Sequence, residues 1–140
     1  MLPNIKNEVM NQFEQYPFLN PTTLAMLIKS TAANPALLTD LFHSFIDDSE
    51  ELLRELDKSS EERDFDSFYT AIHTLKGLCG TIGCSRMFEV LKIMDGLNKD
   101  KDFENSNSYL VKLKTVFAET SNAINTEVFI PVEQNKNEDS

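Results

Sequence analysis

Ile72-His73-Thr74-Leu75-Lys76-Gly77-Leu78-Cys79-Gly80-Thr81-Ile82-Gly83 is the stretch on which the reading of this chain turns. Three of the protein's four glycines fall within it, soon after a histidine. Glycine inside a helix costs about 1 kcal/mol relative to alanine, so a helix that carries two of them needs a reason. On a wheel of roughly 100° per residue, Lys76, Gly77 and Gly80 all lie within about 60° of His73. Phe68, Ile72, Leu75, Cys79 and Ile82 gather on the opposite side. The spacing therefore predicts a helix with an apolar inner face and a histidine standing outward beside a cation. Around that histidine the surface is stripped of bulk, as a large partner bringing a reactive group to an imidazole would need.

Outward from this helix the chain reads as helical throughout. Ile5, Val9, Met10 and Phe13 mark a weak amphipathic segment from about Asn4 to Tyr16, ended near Pro17. Asn20-Pro21 reads as an N-cap followed by proline at the first helical position, opening a short helix to about Ser30. Asn34-Pro35 repeats the signal. Leu37, Leu38, Leu41, Phe42, Phe45, Leu52, Leu53 and Leu56 then keep helical spacing for over twenty residues, with Asp47 to Glu51 as a solvated face. Ser60 to Asp64 is a polar connection into the histidine helix, which Gly83 ends. Ser85 is placed to cap the next helix, whose inner face is Met87, Val90, Leu91, Met94 and Leu97. A last helix is expected from about Asn105 to Ile124, with Leu110, Leu113, Val116 and Phe117 inward.

Beyond Thr126 a tail is expected. Val128 to Val132 is apolar and β-prone and could dock on the bundle or on a partner; the final eight residues are polar enough to stay disordered. The fold class is thus all-α: an antiparallel four-helix bundle over residues 34–125, an N-terminal helical extension over 1–33 and a flexible tail over 126–140.

Bulk properties narrow the function. At 140 residues the chain makes one domain with a core of its own. A formal charge of −10 argues against nucleic acid and against binding a membrane through a basic face. No apolar run approaches the roughly 18 residues of a membrane span, and no basic-then-apolar leader opens the chain, so the expected location is the cytoplasm. Cys79 and Cys84 are the two cysteines, too few for a disulfide framework or a zinc site; His43 is distant and lacks company. No metal site is expected, and both thiols read as packing.

Residues 71–83 resemble the signature of histidine-containing phosphotransfer (HPt) domains, carried here by His73, Leu75, Lys76, Gly77, Cys79, Gly80, Ile82 and Gly83. The upstream pairs Leu41-Phe42, Phe45-Ile46 and Leu52-Leu53 fit as well, and the likeness runs from about Pro35 to Ile124. The resemblance implies a bundle that carries a phosphoryl group between aspartates of receiver domains. One partner would be the receiver of a hybrid sensor kinase, the other that of a response regulator.

Residue chemistry agrees with that implication. A neutral imidazole is a competent nucleophile near pH 7, and Lys76, one turn away, suits phosphoryl oxygens. Gly77 and Gly80 clear the approach for a receiver, while Tyr69 and Leu78 flank it. Arg86, Lys92 and Lys99 could add local positive charge to suit a receiver's acidic pocket. The magnesium ion expected there belongs to the receiver, and no cofactor is expected on this chain. Family members often carry Gln on the next helix to hydrogen-bond the second imidazole nitrogen. The matching residue here is Asp95, a departure that would fix the tautomer through a carboxylate.

Two other readings stand beside the carrier. A non-catalytic module could bind and sequester a receiver, although sequestration would not need His73 or Lys76. An enzyme with its own reaction is the other: a histidine kinase would need a nucleotide-binding domain, for which 140 helical residues leave no space. A phosphohistidine phosphatase would need a base to activate water, for which no clear candidate stands out. A monomer is the simpler expectation for a shuttle.

Overall fold

A computed structural model describes residues 12–138. Its helices are α1 (Pro21–Ser30), α2 (Ala36–Glu62), α3 (Phe65–Ile82), α4 (Ser85–Lys99), α5 (Phe103–Ser108), α6 (Leu110–Ile124) and α7 (Ile130–Glu138), with a π-helical turn over Asn125–Phe129 between the last two. Helix α2 packs on α3, α3 on α4, and α4 on α6, which returns to α2 and closes a four-helix bundle. Two-residue connections make α2, α3 and α4 run antiparallel. His73 lies across from Asp95, and Phe65 across from Phe103, so position rises along α3 as it falls beyond it.

The helix ends follow from local chemistry. Asn20 Oδ1 accepts from the amides of Thr22 and Thr23 at 3.0 Å, with Pro21 in the first turn of α1. Asp64 caps α3 by accepting from the Ser67 amide at 3.3 Å. Gly83 ends α3 at φ 85°, a left-handed conformation that glycine adopts without steric penalty. Its carbonyl accepts from the Asn20 amide at 2.8 Å, which joins the end of α3 to the start of α1.

Several expectations are corrected. The buried stripe of α2 is Leu38, Phe42, Phe45, Ser49, Leu53 and Leu56; Leu37 and Leu41 are exposed, since each sits one residue, about 100°, off that stripe. Helix α2 also runs on to Glu62, leaving Arg63 and Asp64 alone as the connection. Ser85 is the first residue of α4 rather than its cap; Cys84 holds the cap position without a side-chain bond. The Arg86 amide there is satisfied by the Pro17 carbonyl at 3.0 Å. The single last helix is broken at Tyr109. Asp102 caps a short α5 by accepting from Asn105, and Ser108 turns its hydroxyl back to the Asn105 carbonyl, the backbone competition typical of Ser in a helix.

Past Thr126, where a tail was expected, the backbone stays helical to Glu138. Ile124, Val128 and Val132 repeat every four residues; the first two are buried and Val132 packs on the core. Pro131 has no amide to donate and its ring crowds the carbonyl four residues back. The turn before it widens accordingly, with the Ile130 amide reaching the Asn125 carbonyl. The apolar piece does dock on the bundle, where Phe129 stacks on His43 with ring centroids 4.2 Å apart. Of the weak N-terminal segment, Ile5, Val9 and Met10 lie outside the described residues; Gln12 to Tyr16 form turns, and Phe13 is buried.

Cys79 and Cys84 are buried free thiols. Burial pushes Cys84 up to about 12 and, with the Cys84 thiol nearby, carries Cys79 well above its usual range, so both stay protonated as packing groups.

Gly83 gives the fold its sharpest local requirement. A β-carbon there would approach the Thr23 side chain to 2.8 Å besides suffering the left-handed φ. Gly83→Ala is expected to destabilise the protein by about 1–2 kcal/mol. Urea unfolding checks this, and an unchanged midpoint would show that the α3–α1 junction yields freely.

Candidate functional site

Helices α3 and α4 build the site along their shared seam. Phe68, Ile72, Leu75, Cys79 and Ile82 face inward from α3, and Met87, Val90, Leu91 and Met94 from α4, all buried. With those residues fixed in the core, the helical period must turn His73 out, and its side chain is 72% exposed. Gly77 and Gly80 are exposed on the same face. A β-carbon at Gly77 would meet nothing within 4 Å, so this glycine answers no need of the fold itself. At Gly80 it would touch the Phe88 ring at 3.4 Å.

Asp95, on α4, lies behind the histidine with its side chain 7% exposed. Its Oδ1 is 3.7 Å from His73 Nδ1, beyond hydrogen-bond length but close enough for strong electrostatic coupling. Nε2, across the ring, is thereby the nitrogen left outward. Asp95 Oδ2 accepts from Lys76 Nζ at 2.6 Å and lies 3.6 Å from Lys99 Nζ. Burial pushes the Asp95 carboxyl up, but the Lys76 hydrogen bond and the charges of Lys76, Lys99 and His73 outweigh it and hold the group below the ordinary carboxylate range.

The sequence-predicted residues separate into those gathered here and those placed elsewhere. His73, Lys76 and Asp95 come together, with Gly77 and Gly80 beside them. Tyr69 is half-buried one turn before His73, its ring against Phe65 and Phe68. Leu78 is half-buried against the core. Lys92 is exposed on α4. Arg86 is committed to the N-terminal segment: its Nε donates to the Tyr16 carbonyl at 2.7 Å, its Nη2 to the Glu14 carbonyl at 3.1 Å, and its guanidinium lies 4.0 Å over the Phe18 ring. It acts there as a clamp. Lys99, read from sequence only as added charge, proves to be a partner of Asp95; its spacing of four residues on one helix was the available signal. Among the described residues, no group of three or more His, Cys, Asp or Glu is placed to hold a metal ion, and no helix is long and apolar enough to cross a membrane.

The site thus consists of an outward imidazole backed by a buried carboxylate on a four-helix bundle. Residues 40–123 match the Hpt domain family, and the chain belongs to that family. Its fold is similar to the crystal structure of a rice protein assigned as a histidine-containing phosphotransfer protein. The TM-score is 0.71 at 16% sequence identity, over 95% of this chain and 98% of that one. No curated protein matches the sequence.

Asp95 makes the stability of this site depend on pH. Its folded pKa lies below the unfolded value of about 3.9, so the ionised group stabilises the fold fully above that value. That contribution fades as pH falls through the folded pKa. Asp95→Asn is expected to cost about 2 kcal/mol at pH 7, with the gap to wild type narrowing below about pH 4. Chemical unfolding at the two pH values checks this; an equal gap at both would mean that Asp95 acts through shape and not charge.

Proposed function

We propose that this protein is a phosphorelay carrier, accepting a phosphoryl group on His73 from the aspartate of one receiver domain and passing it to the aspartate of another. Membership of the Hpt domain family supplies the coarser role, phosphotransfer within phosphorelays. The observation that carries the finer reading is the exposed imidazole of His73, with its Nδ1 edge toward the Asp95 carboxylate and the side-chain-free surface of Gly77 beside it.

The chemistry follows from that arrangement. The Nε2 lone pair attacks phosphorus, the P–O bond to the donor aspartate breaks, and its electron pair stays on the departing carboxylate. His73 retains its Nδ1 proton, so the ring becomes cationic, and Asp95 Oδ1 faces the charge that develops. In onward transfer an acceptor carboxylate attacks phosphorus and the N–P pair returns to Nε2. The linkage is of similar energy on either side, so the exchange runs in both directions.

A receiver of a hybrid sensor kinase suits the donor role, and that of a response regulator the acceptor role. The magnesium ion that accompanies receiver aspartates stays with the receiver. Because the phosphoryl group arrives already activated, the carrier needs no nucleotide and no kinase activity of its own. Every residue invoked comes from a single chain, so a monomer suffices, working in the cytoplasm.

Transfer from a receiver phosphorylated on its aspartate tests the reading. Acid-labile, base-stable label is expected on wild type and none on His73→Gln, with the fold intact by circular dichroism. Label persisting in the variant would place the acceptor elsewhere, and receiver binding without transfer to wild type would make the protein a sequestering module. Gly77→Gln, which the fold accommodates, is expected to weaken receiver docking and slow transfer at least tenfold, on the order expected for a side chain forced into an interface. Unchanged docking would show that the open surface beside His73 is not where the receiver sits.

A further inference from the structure

The two oxygens of Asp95 do different work. Oδ1 faces His73 Nδ1 at 3.7 Å, whereas Oδ2 takes Lys76 at 2.6 Å and lies 3.6 Å from Lys99. Exposure orders the two lysines: the side chain of Lys76 is 22% exposed and that of Lys99 72%. Lys76 is thus already engaged before any phosphoryl group arrives. It cannot give its full charge to phosphoryl oxygens on His73 while it remains on Asp95. Withdrawing it from a carboxylate that water barely reaches would strand a buried charge, which is strongly unfavourable unless a second cation takes over.

We propose that Lys99 is that second cation. When Lys76 leaves Oδ2 for the phosphoryl group on His73, Lys99 closes onto the same oxygen and keeps Asp95 ionised and in place. The inference rests on His73 being the phosphoacceptor. Lys99 lies one turn beyond Asp95 on α4, so the carboxylate and its reserve partner move as one rigid element. Moving from 3.6 Å to a charge-assisted hydrogen bond needs a shift of only about 0.8 Å. Its exposed, flexible stem allows that shift without repacking the core.

The handover also balances the charge of the transfer step. As Nε2 bonds to phosphorus, the P–O bond to the donor carboxylate breaks and that carboxylate keeps the electron pair. His73 holds its Nδ1 proton, so no proton leaves the site. The new positive charge on the ring draws on Oδ1, and the incoming phosphoryl oxygens draw on Lys76. Oδ2 would then lose its short hydrogen bond, and Lys99, 3.6 Å away, is the cation within reach of it. The one contact Lys99 makes in this scheme is with Asp95, so it is a positioning residue acting through that carboxylate.

The test compares wild type, Lys99→Met and Lys99→Arg, each alone and in an Asp95→Asn background. His73 is loaded with the small donor phosphoramidate, so that no receiver is required, and urea midpoints are recorded in parallel. Lys99→Met is expected to slow loading about fivefold in the Asp95 protein, with the urea midpoint nearly unchanged and the rate restored by Lys99→Arg. In the Asp95→Asn background the same substitution is expected to leave the rate unchanged, because no carboxylate remains to be held. An equal slowing in both backgrounds would show that Lys99 acts only through general positive charge and would overturn the handover. A wild-type rate in Lys99→Met would overturn it as well. Failure of the wild type itself to take label on His73 would instead bring down the phosphoacceptor reading, and the inference with it.

Discussion

The seam between α3 and α4 is the contact on which the presentation of His73 depends. On its inner side it is a continuous apolar surface, in which Ile72, Leu75, Met87, Val90, Leu91 and Met94 are buried. At its outer edge the Lys76–Asp95 ion pair joins the two helices where solvent begins. Burial of the inner side sets the rotation of α3 about its axis, and that rotation sends His73 outward. The ion pair holds Asp95 in place behind the ring, with Oδ1 3.7 Å from His73 Nδ1. The exposure of the imidazole and the position of the carboxylate behind it thus come from two interactions of different kind, one without direction and one strongly directional.

The same seam accounts for a local disadvantage built into α3. Gly77 has open space where a β-carbon would stand, and alanine there would favour the helix. Glycine at such a position reduces stability with no gain in packing. Gly83 is the opposite case: its positive φ and the nearness of Thr23 are requirements of the chain's own path. Two glycines six residues apart therefore stand differently, one required by the fold and one not.

Much of this was legible in the sequence because the responsible patterns are local. The Asn20-Pro21 start of α1, the end of α3 at Gly83 and the outward turn of His73 each depend on residues within a turn or two of one another. Leu37 and Leu41 share the helical spacing and yet are exposed, because apolar residues one position off a stripe look alike in a list and differ only once a neighbouring helix selects the face. The helical course beyond Thr126 was hidden by Pro131 and by β-branched residues. The four-residue repeat of Ile124, Val128 and Val132 was present all the same. The role of Arg86 was out of reach, since its partners are carbonyls some seventy positions away that no side-chain pattern reveals. Lys99 fell between these cases: its spacing from Asp95 is local, but the competition for one carboxylate oxygen shows only in three dimensions.

The Arg86 clamp bears on how freely this molecule's surface can vary. Two of its three attachments are to main-chain carbonyls, at Glu14 and Tyr16, and every amino acid carries such a group. The grip reads the course of the backbone and is blind to the side chains at those two positions. Substitutions there can change the chemistry of the surface near the start of α4 without loosening the segment that bears it. A protein of this construction can acquire a new pattern of recognition along its N-terminal edge while the histidine and its supporting carboxylate stay as they are.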